Sequence, residues 1–401
     1  MRNESQPGGE VGPQPLGVYL AVPFCKSKCS YCNFASDVFA PGRFREYCAL
    51  LRREMDLTAA AEGLAGAEVD TVYWGGGTPS LLEPDDLLAL ARQVREVFRV
   101  APGAEFTVEV APGTLTGPGL EALLTAGVNR ISFGVQSMND AEVRAVGRLH
   151  SRAIVLADVE RLQEAGVAAI NLDLIAGLPH QTPASWRDSV AAVIATGVPH
   201  VSVYMLEVDT DSRLGTELLA GGTRYHAHHV PDDDAIVAMY DEACMRLEAA
   251  GIRQYEISNF ARPGHESRHN ERYWLRQPYL GFGVEAHSML RGTAGETRWG
   301  NPDTLETYLA PLRAGSLPRT AVERVSPQAQ LEEALFLGLR RNVGVNLKSL
   351  AAEFGPEPVE HVETTLRALR EDGLLWTTGE QVHLTARGRL LSNEVFASLI
   401  D

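Results

Sequence analysis

Six short apolar runs, at 16–22, 69–75, 105–111, 129–135, 168–175 and 199–206, alternate with longer stretches of helical period at 42–65, 84–99, 117–126, 151–166 and 183–196. The runs, such as LGVYLAV and NRISFGV, are rich in β-branched and apolar residues, which predicts strands. Each longer stretch carries one apolar face and is long enough for the crossover helix that a parallel strand pair requires. The pattern predicts an α/β fold, a partial (β/α)6 barrel over 16–230.

The pattern then changes twice. A Gly-, His- and Asp-rich stretch ending VPDDD leads into a long helical segment and an irregular region, read as an extension of the barrel over 231–320. From 321 to 401 three helical segments and the hairpin-like LLWTTGEQVHLT predict a winged-helix-like C-terminal domain. Residues 1–15 carry Gly, Pro and polar residues without the basic-then-apolar order of a secretory signal, and read as a flexible tail.

Composition narrows the function. No apolar run reaches the roughly 18 residues of a membrane helix, so no integral membrane segment is expected. A net charge of -16 argues against general nucleic-acid binding, and the candidate recognition segment at 357–373 is itself acidic, which fits a packing or partner domain. Five cysteines, three of them within 25–32, are too few and too clustered for a disulfide framework, so a reducing cytoplasm is expected. Cys48 and Cys244 fall in helix-like stretches and read as small buried hydrophobes.

The chemistry begins at CKSKCSYC. Spacings of three and two intervening residues let one loop wrap the thiolates of Cys25, Cys29 and Cys32 around three irons of a cubane, leaving the fourth iron open. A zinc site would want a fourth Cys or His nearby, and none adjoins the triad. The open iron could be chelated by the amino and carboxylate groups of S-adenosylmethionine (SAM). Gly75, Gly76 and Gly77 end the second strand before Thr78 and Pro79 turn the chain, which suits close backbone approach to a ligand. Glu109, Gln136, Arg148 and Asp173 follow at or after later strands and helices; their types suit an ammonium, a carboxylate and ribose hydroxyls.

A cysteine triad after the first strand, with these residues in barrel order, resembles the radical-SAM superfamily and, within it, the coproporphyrinogen-oxidase-like branch. The resemblance implies a [4Fe–4S] cluster on Cys25, Cys29 and Cys32, and one-electron cleavage of SAM to methionine and a 5′-deoxyadenosyl radical. It places SAM against Tyr19, Tyr31, Gly76, Gly77, Thr78, Glu109, Gln136, Arg148 and Asp173. One departure is Ala111, where the family commonly has Asn.

Two kinds of protein share this framework: the oxygen-independent coproporphyrinogen III oxidase and haem chaperones. The oxidase follows its triad with a further cysteine where this chain has Phe34, and has a longer N-terminal extension than the 24 residues before Cys25. His269-Asn270-Glu271-Arg272-Tyr273-Trp274 matches the HNXXYW haem motif of the chaperones, implying haem at His269, Asn270, Tyr273 and Trp274. An imidazole can ligate haem iron, and Tyr and Trp offer faces to a porphyrin. His287, in GFGVEAHS, reads as packing rather than as a second ligand. His226, His228 and His229 read as a solvated loop rather than a metal site. The resemblance implies a cytoplasmic haem chaperone with acceptor haemoproteins and an electron donor as partners, and the oxidase as the alternative.

Overall fold

A computed structural model describes residues 14–40, 42–292 and 295–400, so most of the expected tail lies outside the described residues. The six expected strands are present as β1 (Leu16–Val22), β2 (Glu68–Gly76), β3 (Arg99–Val110), β4 (Arg130–Gln136), β5 (Ala169–Ala176) and β6 (His200–Met205). Each pairs in parallel with the next. The crossovers are α1 (Gly42–Glu62), α2 (Pro84–Val97), α3 (Gly117–Thr125), α4 (Asp140–Ala145), α5 (Arg152–Glu164) and α6 (Pro183–Ala195). Local chemistry sets their starts. Thr116 and Ser151 cap α3 and α5, and Thr182 with Ser185 forms a capping box on α6. Then come α7 (Arg213–Ala220) and α8 (Asp233–Ala249), the second packed against α6 and β6.

The region after α8 is strand-forming rather than irregular. β8 (Asn259–Ala261) adds antiparallel to β6, and β7 (Arg253–Gln254) pairs antiparallel with β8 at the edge. The HNERYW segment forms α9 (Arg268–Trp274); β9 (Tyr279–Phe282) then pairs in parallel with β1. From there β10 (His287–Gly292), β11 (Gly295–Gly300) and β12 (Glu323–Arg324) continue the sheet antiparallel, with α10 (Leu305–Arg313) between the last two. One 12-stranded mixed sheet results, the parallel array in its middle and the extension on both edges. Strands of two to six residues carry too little alternation to be seen in the sequence.

Glu54 on α1 ties the extension down. Its buried carboxylate accepts hydrogen bonds from the Tyr308 hydroxyl at 2.6 Å, Asn301 Nδ2 at 2.6 Å and the Gly283 backbone N–H at 2.9 Å. Burial pushes its pKa up to about 7.

The C-terminal region has its own core of Leu331, Leu335, Leu339, Leu366, Val382 and Val395. It comprises α11 (Pro327–Arg340), β13 (Val345–Asn346), α12 (Leu347–Phe354), α13 (Pro356–Glu371), β14 (Leu375–Thr378), β15 (Gln381–Leu384), α14 (Ala386–Leu390) and α15 (Ser392–Ala397). β15 lies between β13 and β14 in a small antiparallel sheet. Where this region meets the extension, buried Arg276 pairs with Glu296 at 2.6 Å and reaches Glu333 and Glu353. Among the described residues no helix is long and apolar enough to cross a membrane.

Candidate functional site

The loop after β1 carries the cysteine triad and is fastened on several sides. Cys25 N–H donates to Asp37 O (3.0 Å), Ser30 N–H to Val146 O (3.1 Å), Leu214 N–H to Ser30 O (2.8 Å) and the Ser27 hydroxyl to Gly147 O (2.8 Å). The three thiols are free, partly buried, and line one cavity of about 700 Å³. Burial pushes the Cys25 and Cys32 thiols up, although the Thr78 hydroxyl points at Cys25 Sγ from 3.9 Å.

The donor set bears on the metal: three thiolates on one loop, facing one cavity, suit three irons of a cubane cluster whose fourth iron takes an external ligand.

Above the triad the cavity is walled by residues from successive strand ends. Gly76, with φ of 93°, donates its N–H to Glu109 Oε2 at 3.2 Å, and the Tyr73 hydroxyl donates to Glu109 Oε1 at 2.8 Å. At Gly77 a Cβ would stand 2.6 Å from the Val22 carbonyl, so only glycine lets this turn close over the cluster loop. Burial pushes Glu109 up to about 7, held back by its hydrogen bonds from Tyr73 and Gly76.

Gln136, in a left-handed conformation (φ 68°), lies with the Arg148 guanidinium against Gly134, where a Cβ would meet each at 3.0 Å. Arg148 donates to the Tyr31 hydroxyl at 3.3 Å and keeps a buried Nε–H without a partner, a donor suited to an anionic ligand. Asp173 accepts from Asn171 Nδ2 at 2.7 Å, and burial holds its pKa up. Ala111 closes its turn without the family's Asn, because its carbonyl accepts from both the backbone and the hydroxyl of Thr114.

Tyr19 faces a second cavity of about 590 Å³ instead. Its walls include Tyr73, Tyr204, His269, Asn270, Tyr273 and His287. Asn33, Phe34, Gly76, Glu109 and Tyr204 line both cavities. Phe34 is 62% exposed, so its ring stands in open space at their junction. Tyr19 and Tyr73 are register partners on β1 and β2, and Tyr73 stacks on His269 with centroids 5.2 Å apart. Sequence reasoning missed Tyr73 and Tyr204; the signal was their place at the ends of strands whose neighbours carry the other site residues.

Within HNERYW the structure separates the side chains. His269 is buried; its Nδ1 lies 3.0 Å from the Thr71 hydroxyl and its Nε2 2.9 Å from the Tyr273 hydroxyl. Burial, assisted by Arg272, pushes its pKa down to about 3, so the ring is neutral. Trp274 does not line the cavity. Its ring packs under the Arg340 guanidinium of α11, 4.3 Å from the centroid, joining α9 to the C-terminal region.

Comparison with known proteins now has a fold and a site to meet. Residues 19–193 match the Radical SAM superfamily model and 325–391 the HemN C-terminal domain. The chain is 35% identical to Heme chaperone HemW of Bacillus subtilis over 95% of this chain and 98% of that protein. The chain belongs to the HemW family. It is also 36% identical to Heme chaperone HemW of Mycobacterium tuberculosis, over 96% of this chain and 95% of that one. The solved structure of coproporphyrinogen III oxidase (HemN) from Escherichia coli, a radical SAM enzyme, superposes with a TM-score of 0.83 at 25% identity, covering 96% of this chain and 90% of that one. The radical SAM fold of HemW proteins implies a [4Fe–4S] cluster and SAM, and the first cavity has the donors for both.

Proposed function

We propose that this protein is a cytoplasmic haem chaperone, which binds SAM at a [4Fe–4S] cluster, takes haem in the adjoining cavity and passes it to acceptor haemoproteins. The observation that carries the reading is the common wall. An aromatic cavity large enough for a substantial ligand opens directly beside the cavity that holds the cysteine triad.

Each residue then has a task. Cys25, Cys29 and Cys32 hold three irons. Glu109 accepts from the SAM amino group, Arg148 and Gln136 hold its carboxylate, and Asp173 its ribose hydroxyls. When bound, such a cluster supplies one-electron reduction, drawn from an external electron donor. Tyr19, Tyr73, Tyr204 and Tyr273 give faces to the porphyrin, and Asn270 a hydrogen-bonding edge. No Lys or Arg lines this cavity, so the propionates face its open side.

The likeness to the coproporphyrinogen III oxidase structure favours oxidative decarboxylation as a second reading. Phe34, in place of that enzyme's further cysteine, weighs against it. Both are tested on one anaerobically reconstituted sample, by haemin titration followed through the Soret band and by product analysis with coproporphyrinogen III. Stoichiometric haem uptake without product is expected. Protoporphyrinogen formation would overturn the chaperone reading.

A further inference from the structure

We infer that His287, not His269, is the side chain that coordinates haem iron, a refinement that rests on the haem-chaperone reading. Coordination needs an imidazole nitrogen with a free lone pair directed at the iron. His269 offers none, because one ring nitrogen meets Thr71 and the other meets Tyr273. Its ring is moreover walled in by Tyr73 and Tyr19, with centroids 5.2 Å and 6.5 Å away. Using it as a ligand would break the bond from the Tyr273 hydroxyl.

His287 has the opposite setting. It opens β10 on the far wall of the same cavity and is exposed to it. Its ring lies over its cross-strand partner Gly300, in space that a Cβ there would take, 2.9 Å from Nε2. The preceding turn is fixed to the cluster loop: Glu285, left-handed at φ 57°, accepts the Ala35 N–H at 3.1 Å. That bond ties the turn before His287 to the loop that carries Phe34, and both residues line the same cavity. A ligand at the rim also suits cargo that must leave, since an acceptor's own ligand can displace it. His269 is then a positioning residue, which fixes Tyr273 against the cavity.

The test uses cluster-loaded full-length protein and haemin. Wild type should give an imidazole-ligated Soret spectrum; His287→Ala should lose that signature and weaken binding at least tenfold, and His287→Cys should replace it with a thiolate-ligated spectrum. His269→Gln should keep the imidazole signature. Unchanged spectra in His287→Ala, or loss of the signature in His269→Gln alone, would overturn the assignment while leaving haem binding intact. No haemin uptake by wild type would instead overturn the chaperone reading itself.

A separate observation assigns a divalent transition-metal site to His180, His226 and His229. Their ligating nitrogens lie within 4.8 Å of one another, although His180 follows β5 and the others lie between α7 and α8. The cluster is braced by backbone, with His180 N–H on His229 O at 3.0 Å. Glu217 accepts the N–H groups of Tyr225 at 2.8 Å and Ala227 at 3.1 Å. Three histidines leave an open position for water.

Untagged, cluster-loaded protein titrated with Zn²⁺ against a chromophoric chelator should bind one equivalent with wild type. His180→Gly and His226→Gly, which keep the left-handed backbone of both positions, should lose it. Equal stoichiometry in the variants would overturn the site.

Discussion

The Nε2 of His269 lies 2.9 Å from the hydroxyl of Tyr273, one helical turn away on α9. The bond consumes the one imidazole nitrogen that a cavity ligand could have used, and its histidine end is buried. Tyr273→Phe is therefore expected to destabilise the fold by about 1–3 kcal/mol, the cost of a stranded buried polar atom. Chemical denaturation of wild type and variant checks it; an unchanged midpoint would contradict the buried bond.

The cysteine triad predicts all-or-none cluster assembly. Cys29→Ser leaves two thiolates for three irons, so iron content per chain and the iron–sulfur absorbance should fall to background after anaerobic reconstitution. Zinc retained by the wild type in place of iron would contradict the cluster assignment.

Glu109 makes SAM binding pH-dependent. Burial raises its pKa to about 7, and an amino N–H of SAM donates best to the ionised form. Affinity should therefore be full above pH 7 and fall towards tenfold per unit as pH drops below it. Glu109→Gln should weaken SAM by roughly tenfold or more, since a charge-assisted bond contributes about 1.5–3 kcal/mol, and should flatten the profile. Equilibrium dialysis with labelled SAM measures both.

Glu54 predicts a stability effect far from the cavities. Its folded pKa of about 7 stands above the ordinary 4.5, so its contribution is complete below pH 4.5 and is lost as pH rises through 7. The loss should approach about 3 kcal/mol. Glu54→Gln should remove this pH dependence; Glu54→Leu, which strands three donors, should cost about 2–4 kcal/mol near pH 5, a difference that narrows as the wild type itself loses stability above pH 7. Thermal unfolding between pH 5 and 8 tests both.

What the sequence made legible was local or periodic. β1 to β6 announce themselves through apolar runs, and Cys25, Cys29 and Cys32 through a spacing that one loop satisfies. The SAM-facing residues follow because parallel strands deliver their C-terminal ends to one rim. Illegible were features created by distant packing: β7 to β12, too short for a period; the meeting of His180 with His226; and the burial of His269, which a motif match cannot reveal. Trp274 was read with its motif, yet its position on α9 turns it to Arg340.

Phe34, Gly76, Glu109 and Tyr204 belong to both cavities, so a ligand in either rests against residues that the other also uses. Wherever occupancy of one chamber shifts those residues the effect is reciprocal: whatever factor one ligand applies to the other's affinity is returned in full. On the proposed function, SAM and haem would each register the other's presence through this partition.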